Sequence, residues 1–125
     1  MFIKYNENPC DKRNNDCSVR ALSTVLGEDW ELVYVQLCVI GYDMCDMPSS
    51  KAVVSNFLHG RGFKRYPCPD NYPHCQTVKD FCNDHPHGVY LLACDSHIIA
   101  AVDGNYIDTW DSGQEPIVYY WKKGV

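Results

Sequence analysis

Three residues carry the chemistry that this sequence offers: Cys17, His97 and Asp108. A cysteine, a histidine and a carboxylate are the minimum set for thiol acyl transfer: a nucleophile, a base that takes its proton, and a group that orients the base. Cys17 falls in the first turn of a segment, Cys17 to Leu26, whose apolar positions Val19, Leu22, Val25 and Leu26 have helical spacing. Backbone N–H groups at a helix start lack partners and the dipole there favours negative charge, so a thiol in that turn tends towards the reactive thiolate. Taken alone, Cys17 fits a buried structural cysteine equally well, and a lone histidine is more often structural than catalytic.

The spacing between His97 and Asp108 strengthens the pair. Asp103-Gly104 separates two strand-like runs and favours a two-residue hairpin turn. With that turn, Val102 opposes Asn105 and His97 opposes Trp110, which puts His97, Ile99 and Ala101 on one face with Tyr106, Asp108 and Trp110. Asp108 then lies diagonally from His97. A three-residue turn would shift the register by one and bring Asp111 to that face instead; the turn chemistry favours Asp108. Stabilising the oxyanion needs two donors. The backbone N–H of Cys17 is one, and Asn14, Asn15 or Asn8 could supply the other. Arg20, one turn beyond Cys17, either holds a thiolate, docks an acidic substrate group or anchors the helix on an internal carboxylate, the last being the commoner role.

The elements that must place these residues follow from periodicity. The first fifteen residues read as a loop after a short extended start. Asn15 or Asp16 is positioned to cap the first helix and Gly27 to stop it. A second helix is expected from Trp30, capped by Asp29 and ended by Gly41. It is apolar nearly all round, so it is expected to be buried. A third should run from about Ser50 to Leu58, and a short one from Thr77 to Asn83. Strands are expected at Phe63–Tyr66, Gly88–Cys94, Ser96–Val102, Asn105–Trp110 and Ile117–Trp121, the last as an edge or closing strand. Helices followed by antiparallel strands imply one α+β domain over residues 1–125.

Composition narrows the function class. The chain has 125 residues, 46% hydrophobic, and a formal net charge of -5. It can fill a core, and it lacks the basic stripe expected of a nucleic-acid or anionic-membrane binder. No apolar run is long enough to span a bilayer and no export signal is visible, so a cytoplasmic protein is expected. In that compartment the eight cysteines are expected to be reduced rather than bridged. Cys68, His74, Cys75, Cys82, His85 and His87 crowd one stretch, but the gap between Cys68 and Cys75 suits a zinc knuckle poorly, and the expectation is a loop without metal or cofactor.

Two stretches resemble a known family. Asn15-Asp16-Cys17-Ser18-Val19-Arg20-Ala21-Leu22, with Gly27 and Trp30 beyond, resembles the start of small papain-like cysteine peptidases of phages and bacteria. The run from His97 to Asp111 resembles their second half. That family is distantly similar to the peptidases that trim leaders from bacteriocins. The resemblance implies a papain-like fold, with N-terminal helices carrying Cys17 packed on a C-terminal antiparallel sheet carrying His97 and Asp108. It also implies hydrolysis of a protein or peptide substrate, as peptidase, isopeptidase or amidase. Papain-like enzymes commonly carry a glutamine six residues before the nucleophile. Here Asp11 stands there, and its charge repels an oxyanion, so either a nearby asparagine serves or the site is impaired. The alternative is a catalytically silent binding or inhibitory module on the same scaffold that engages a host protein. Oligomeric state cannot be read from the residues.

Overall fold

The computed structural model describes residues 1–68 and 75–124. The elements run β1 (Phe2–Lys4), α1 (Cys17–Leu26), α2 (Trp30–Met44), α3 (Lys51–Gly60), β2 (Phe63–Pro67), α4 (Val78–Asp84), β3 (Val89–Ala93), β4 (Ile98–Val102), β5 (Asn105–Asp108) and β6 (Tyr119–Lys123). The strands form one sheet in the order β1-β5-β4-β3-β6-β2. The fold is α+β, but the sheet is mixed rather than antiparallel. The extended start, Phe2 to Lys4, joins it as an edge strand parallel to β5, pairing Phe2 with Tyr106 and Lys4 with Asp108. Among the described residues, no helix is long and apolar enough to cross a membrane.

Two apolar clusters hold the layers together. One joins α1, α2 and α3 to the sheet through Leu22, Val33, Leu37, Val53, Phe57, Leu58, Leu91, Ala100 and Trp121. The other joins α4 to the sheet through Val78, Phe81, Leu92, Ile99, Ala101 and Tyr106. Helix ends follow local chemistry. Gly27 closes α1 at φ 66°, where a glycine adopts the left-handed conformation without cost. The Ser50 side chain accepts from the Val53 N–H to start α3. Thr77 and Asp80 form a reciprocal capping box at α4.

Two expectations about α2 fail. Gly41 does not end the helix, which continues to Met44 and closes on Cys45 in a left-handed conformation. Gly41 is buried within it, where a Cβ would come within 2.7 Å of the Asp46 carbonyl oxygen. Nor is α2 buried all round: Val33, Leu37 and Gly41 face the core, while Leu32, Val35, Val39 and Tyr42 lie in solvent. The helices that would have covered the outer side, α1 and α3, both pack on the inner one. Leu37→Ala is therefore expected to cost about 2–5 kcal/mol and Leu32→Ala less than about 0.5 kcal/mol, as read by urea unfolding of the two variants.

None of Cys10, Cys17, Cys38, Cys45, Cys68, Cys82 and Cys94 forms a disulfide. Cys82 is buried in the second cluster, and His85 stacks on Phe81 with ring centroids 3.9 Å apart. Among the described residues, no group of three or more His, Cys, Asp or Glu side chains converges as a metal site would need. His74 lies outside those residues.

Candidate active site

The site assembles where the start of α1 meets the ends of β4 and β5. Cys17 is the first residue of α1, so its N–H has no partner within the helix. The hairpin carrying the other two residues has the register of a two-residue turn, with Val102 opposite Asn105 and Ala101 opposite Tyr106. Asp103 and Gly104 both have positive φ, 49° and 79°, as a type I′ turn requires. That register brings His97 Nε2 to 2.6 Å from Asp108 Oδ2. The second ring nitrogen is left for Cys17, which lines the same cavity, and the thiol and the imidazole shift each other's ionisation. The Trp110 ring lies 5.2 Å from the imidazole at an interplanar angle of 30°, covering one side of it.

Asp111 is elsewhere. Its Oδ1 accepts from the Tyr106 hydroxyl at 2.7 Å and from the Gly113 N–H at 3.1 Å, and it makes no contact with His97. Asp108 is 1% exposed and receives four donors. Oδ2 accepts from His97 and, at 2.8 Å, from the Ser112 hydroxyl. Oδ1 accepts from the Thr109 N–H at 2.8 Å and Arg20 Nη1 at 3.0 Å.

Arg20 thus joins the site through the carboxylate. Its Nε also donates to Asp16 Oδ1 at 2.8 Å. Asp16 holds the N-cap position of α1 but its side chain caps no backbone N–H. Instead Asp16 Oδ2 accepts from Trp30 Nε1 at 3.0 Å and from Asn8 Nδ2 at 3.3 Å. A chain of hydrogen bonds therefore runs Asn8–Asp16–Arg20–Asp108–His97, buried up to the histidine, with Cys17 beside its end. Sequence reasoning singled out most of its members but assigned Asp16 to a cap and Asn8 to an oxyanion donor. The Asn8 amide is turned inward to Asp16, its oxygen accepting from the Cys10 N–H at 2.9 Å. It is therefore unavailable to a substrate.

Electrostatics separate Cys17 from the other cysteines. Burial raises a thiol pKa, since it penalises the thiolate. It does so at Cys68 and Cys82, and at Cys94 it pushes the thiol up to about 12. Burial acts on Cys17 in the same direction, but the hydrogen bonds from His97 and the Ile98 N–H, with the charges of His97 and Arg20, outweigh it and leave the pKa lowered. Burial alone would lower His97. Its bonds to Asp108 and Cys17, and their charges, instead raise it to about 9. Burial would raise Asp108, yet His97, Ser112 and Arg20 hold it below the ordinary carboxylate value. At neutral pH His97 therefore favours the imidazolium and Asp108 the carboxylate, and Cys17 gives up its proton more readily than an ordinary thiol.

The chain matches no model of a known protein family, no curated protein and no solved structure. The site's own geometry must carry the reading.

Two cavities meet at Asn14 and Asn15. One, of about 430 Å³, is lined by Cys17, His97, Arg20, Trp110 and both asparagines. The other, of about 550 Å³, has apolar walls from Val19, Trp30, Tyr34, Leu37 and Pro48 and shares Asn14 and Asn15 as a wall. Both asparagines are exposed at the mouth beside Cys17. Asp11 does not line the Cys17 cavity. It adopts φ 52°, accepts from Asn6 Nδ2 at 3.2 Å and lines a neighbouring depression with Lys4 and Arg13.

Proposed function

We propose that this chain is a papain-like thiol hydrolase acting on peptide or amide bonds through Cys17, His97 and Asp108. What carries the reading is the Cys17 thiol: it is largely buried, yet ionises more readily than a free thiol because His97, held by Asp108, bonds to it. Structural cysteines of this chain shift the other way.

The steps balance on these residues. His97 takes the thiol proton and the thiolate attacks the substrate carbonyl carbon. The oxyanion is met by the Cys17 N–H at the start of α1 and by the side-chain amide of Asn14 or Asn15. His97 then delivers its proton to the leaving nitrogen as the C–N bond breaks, giving an acyl-thioester. A water loses its proton to His97 and attacks the thioester, and the thiolate departs protonated by His97. Asp108 keeps Nε2–H engaged, so the other ring nitrogen faces sulfur throughout. With Asp11 directed elsewhere, the asparagines face the cleft without a competing carboxylate. The apolar cavity across Asn14 and Asn15 suits a bulky apolar side chain near the scissile carbonyl, which favours a peptide over a small amide.

The test is alkylation of Cys17 by iodoacetamide across pH 4–10, followed by peptide mass mapping in wild type and His97→Ala. Wild-type Cys17 should react below the pH at which free thiols ionise, roughly 8.5. At pH 6 it should outpace the His97→Ala protein by about tenfold, because the gain in thiolate is partly offset by its weaker nucleophilicity. Equal rates in the two proteins would dismiss the thiol–imidazole pair and the hydrolase with it.

A further inference from the structure

The outward face of α2 stands apart from the cleft. Leu32, Val35, Val39 and Tyr42 recur at i, i+3, i+7 and i+10, which places them on one stripe of the helix. They are between 54% and 86% exposed. A helix with apolar residues on both faces is normally covered on both, and a contiguous exposed apolar stripe marks an interaction site. The stripe spans about 15 Å at the helical rise of 1.5 Å per residue, the length of about three turns of a partner helix.

The surroundings of the stripe define the partner. Glu31 and Asp43 are exposed on either side of it, and Asp46 follows just past the helix end. No lysine or arginine occurs from residue 21 to residue 50. Arg61, which reaches the helix at Gln36, is held by Glu28. Lys12 lines the cavity at Trp30 and Tyr34, off the stripe. A second copy of this chain fits poorly. A two-fold interface brings the same patch against itself, which would oppose one acidic rim to another. An anionic lipid surface is repelled by the same rim.

We propose that the α2 stripe docks a cationic amphipathic helix of a protein partner, with leucine-like residues at i, i+3 or i+4 and i+7 seated on Leu32, Val35, Val39 and Tyr42, and flanking Lys or Arg facing Glu31 and Asp43. Helix-on-helix packing of ridges into grooves supplies the contact, and the acidic rim supplies the choice of partner and the speed of encounter. The site is separate from Cys17, so it operates whether or not the chain turns over a substrate.

The experiment measures fluorescence anisotropy of two labelled 18-residue probe helices, each with leucine on the apolar stripe and either lysine or glutamate elsewhere. It uses the full chain carrying Cys17→Ala, which removes the thiol of the cleft. The lysine helix should bind, and the glutamate helix should bind at least tenfold more weakly. Leu32→Ser with Val39→Ser should weaken the lysine helix at least tenfold, and the thermal melt confirms that these surface changes leave the fold in place. Glu31→Lys with Asp43→Lys should reverse the preference, whereas Asp84→Lys with Asp95→Lys, an equal change of net charge away from α2, should not. Equal binding of both probes, indifference to the serine pair, or equal loss from both charge reversals would each overturn the proposal. So would a dimer in sedimentation that Leu32→Ser dissociates, since the occupant would then be a second copy.

Discussion

Arg20→Met is expected to destabilise the protein by about 3–5 kcal/mol at neutral pH, the cost typical of removing one partner from a buried ion pair. Arg20 is 7% exposed and bridges two carboxylates that are themselves buried, Asp16 and Asp108. Methionine leaves Asp16 without its cation and Asp108 with His97 alone, and it fills roughly the same volume, so the loss is electrostatic rather than a cavity. The pH dependence follows from Asp108. Its folded pKa is held below the unfolded value of about 3.9, so its stabilising contribution is present above that value and fades as pH falls through the folded pKa. His97 and Ser112 hold it there with Arg20, so part of that contribution goes with the arginine. The gap between wild type and variant should therefore be widest at pH 7 and narrow below about pH 4, as read by urea unfolding at the two values. A gap independent of pH would mean that Arg20 acts through packing alone. Arg20→Lys should recover little, because a single ammonium lacks the fork that reaches both carboxylates.

Among changes that leave the thiol and the imidazole in place, the largest effect on activity is expected from Asp108. Asp108→Ala removes the acceptor that holds His97 Nε2, and the rate of release from an activated ester should fall by about 10²–10⁴-fold, the usual worth of a positioned acid–base group. Asp108→Asn separates orientation from charge. The amide oxygen can still accept from one pair of donors, but the negative charge that helps to raise His97 to about 9 is lost. The alkaline limb of the rate profile, where His97 gives up its proton, should then move from near pH 9 towards the ordinary histidine value of about 6.5. An unchanged alkaline limb in Asp108→Asn, or full activity in Asp108→Ala, would remove Asp108 from the mechanism.

The parts of this site that could be read in advance rested on local rules. Asp103-Gly104 specifies its own turn, and a turn specifies register, so His97 and Asp108 could be paired from a dipeptide between them. Cys17 at a helix start needed only the periodicity of Val19, Leu22 and Leu26. What stayed hidden depends on contacts distant in sequence. Asp16 looks like a cap because aspartate before a helix usually is one. It bonds Arg20, Trp30 and Asn8 because burial rewards satisfying a carboxylate fully over capping one N–H. The parallel pairing of β1 has no signal within Phe2-Ile3-Lys4, since its partner is β5. The outer face of α2 shows the opposite failure. Leu32 and Val39 follow the rule for buried residues and find nothing among the described residues to cover them.

That edge strand has a consequence in time. Phe2 pairs with Tyr106 and Lys4 with Asp108, while the Met1 ammonium donates to Gly104 O at 2.9 Å and the Tyr5 N–H to Asp108 O at 2.9 Å. The β4–β5 hairpin closes through a two-residue turn and can form within microseconds. Bringing β1 to its side means closing a loop of roughly 100 residues, with the entropy cost that this carries. A chain emerging from the ribosome must therefore hold β1 unpaired until β5, roughly 100 residues later, has been made. Pairings so far apart in sequence fold slowly, and here the strand with the most distant partner is the one that flanks Asp108.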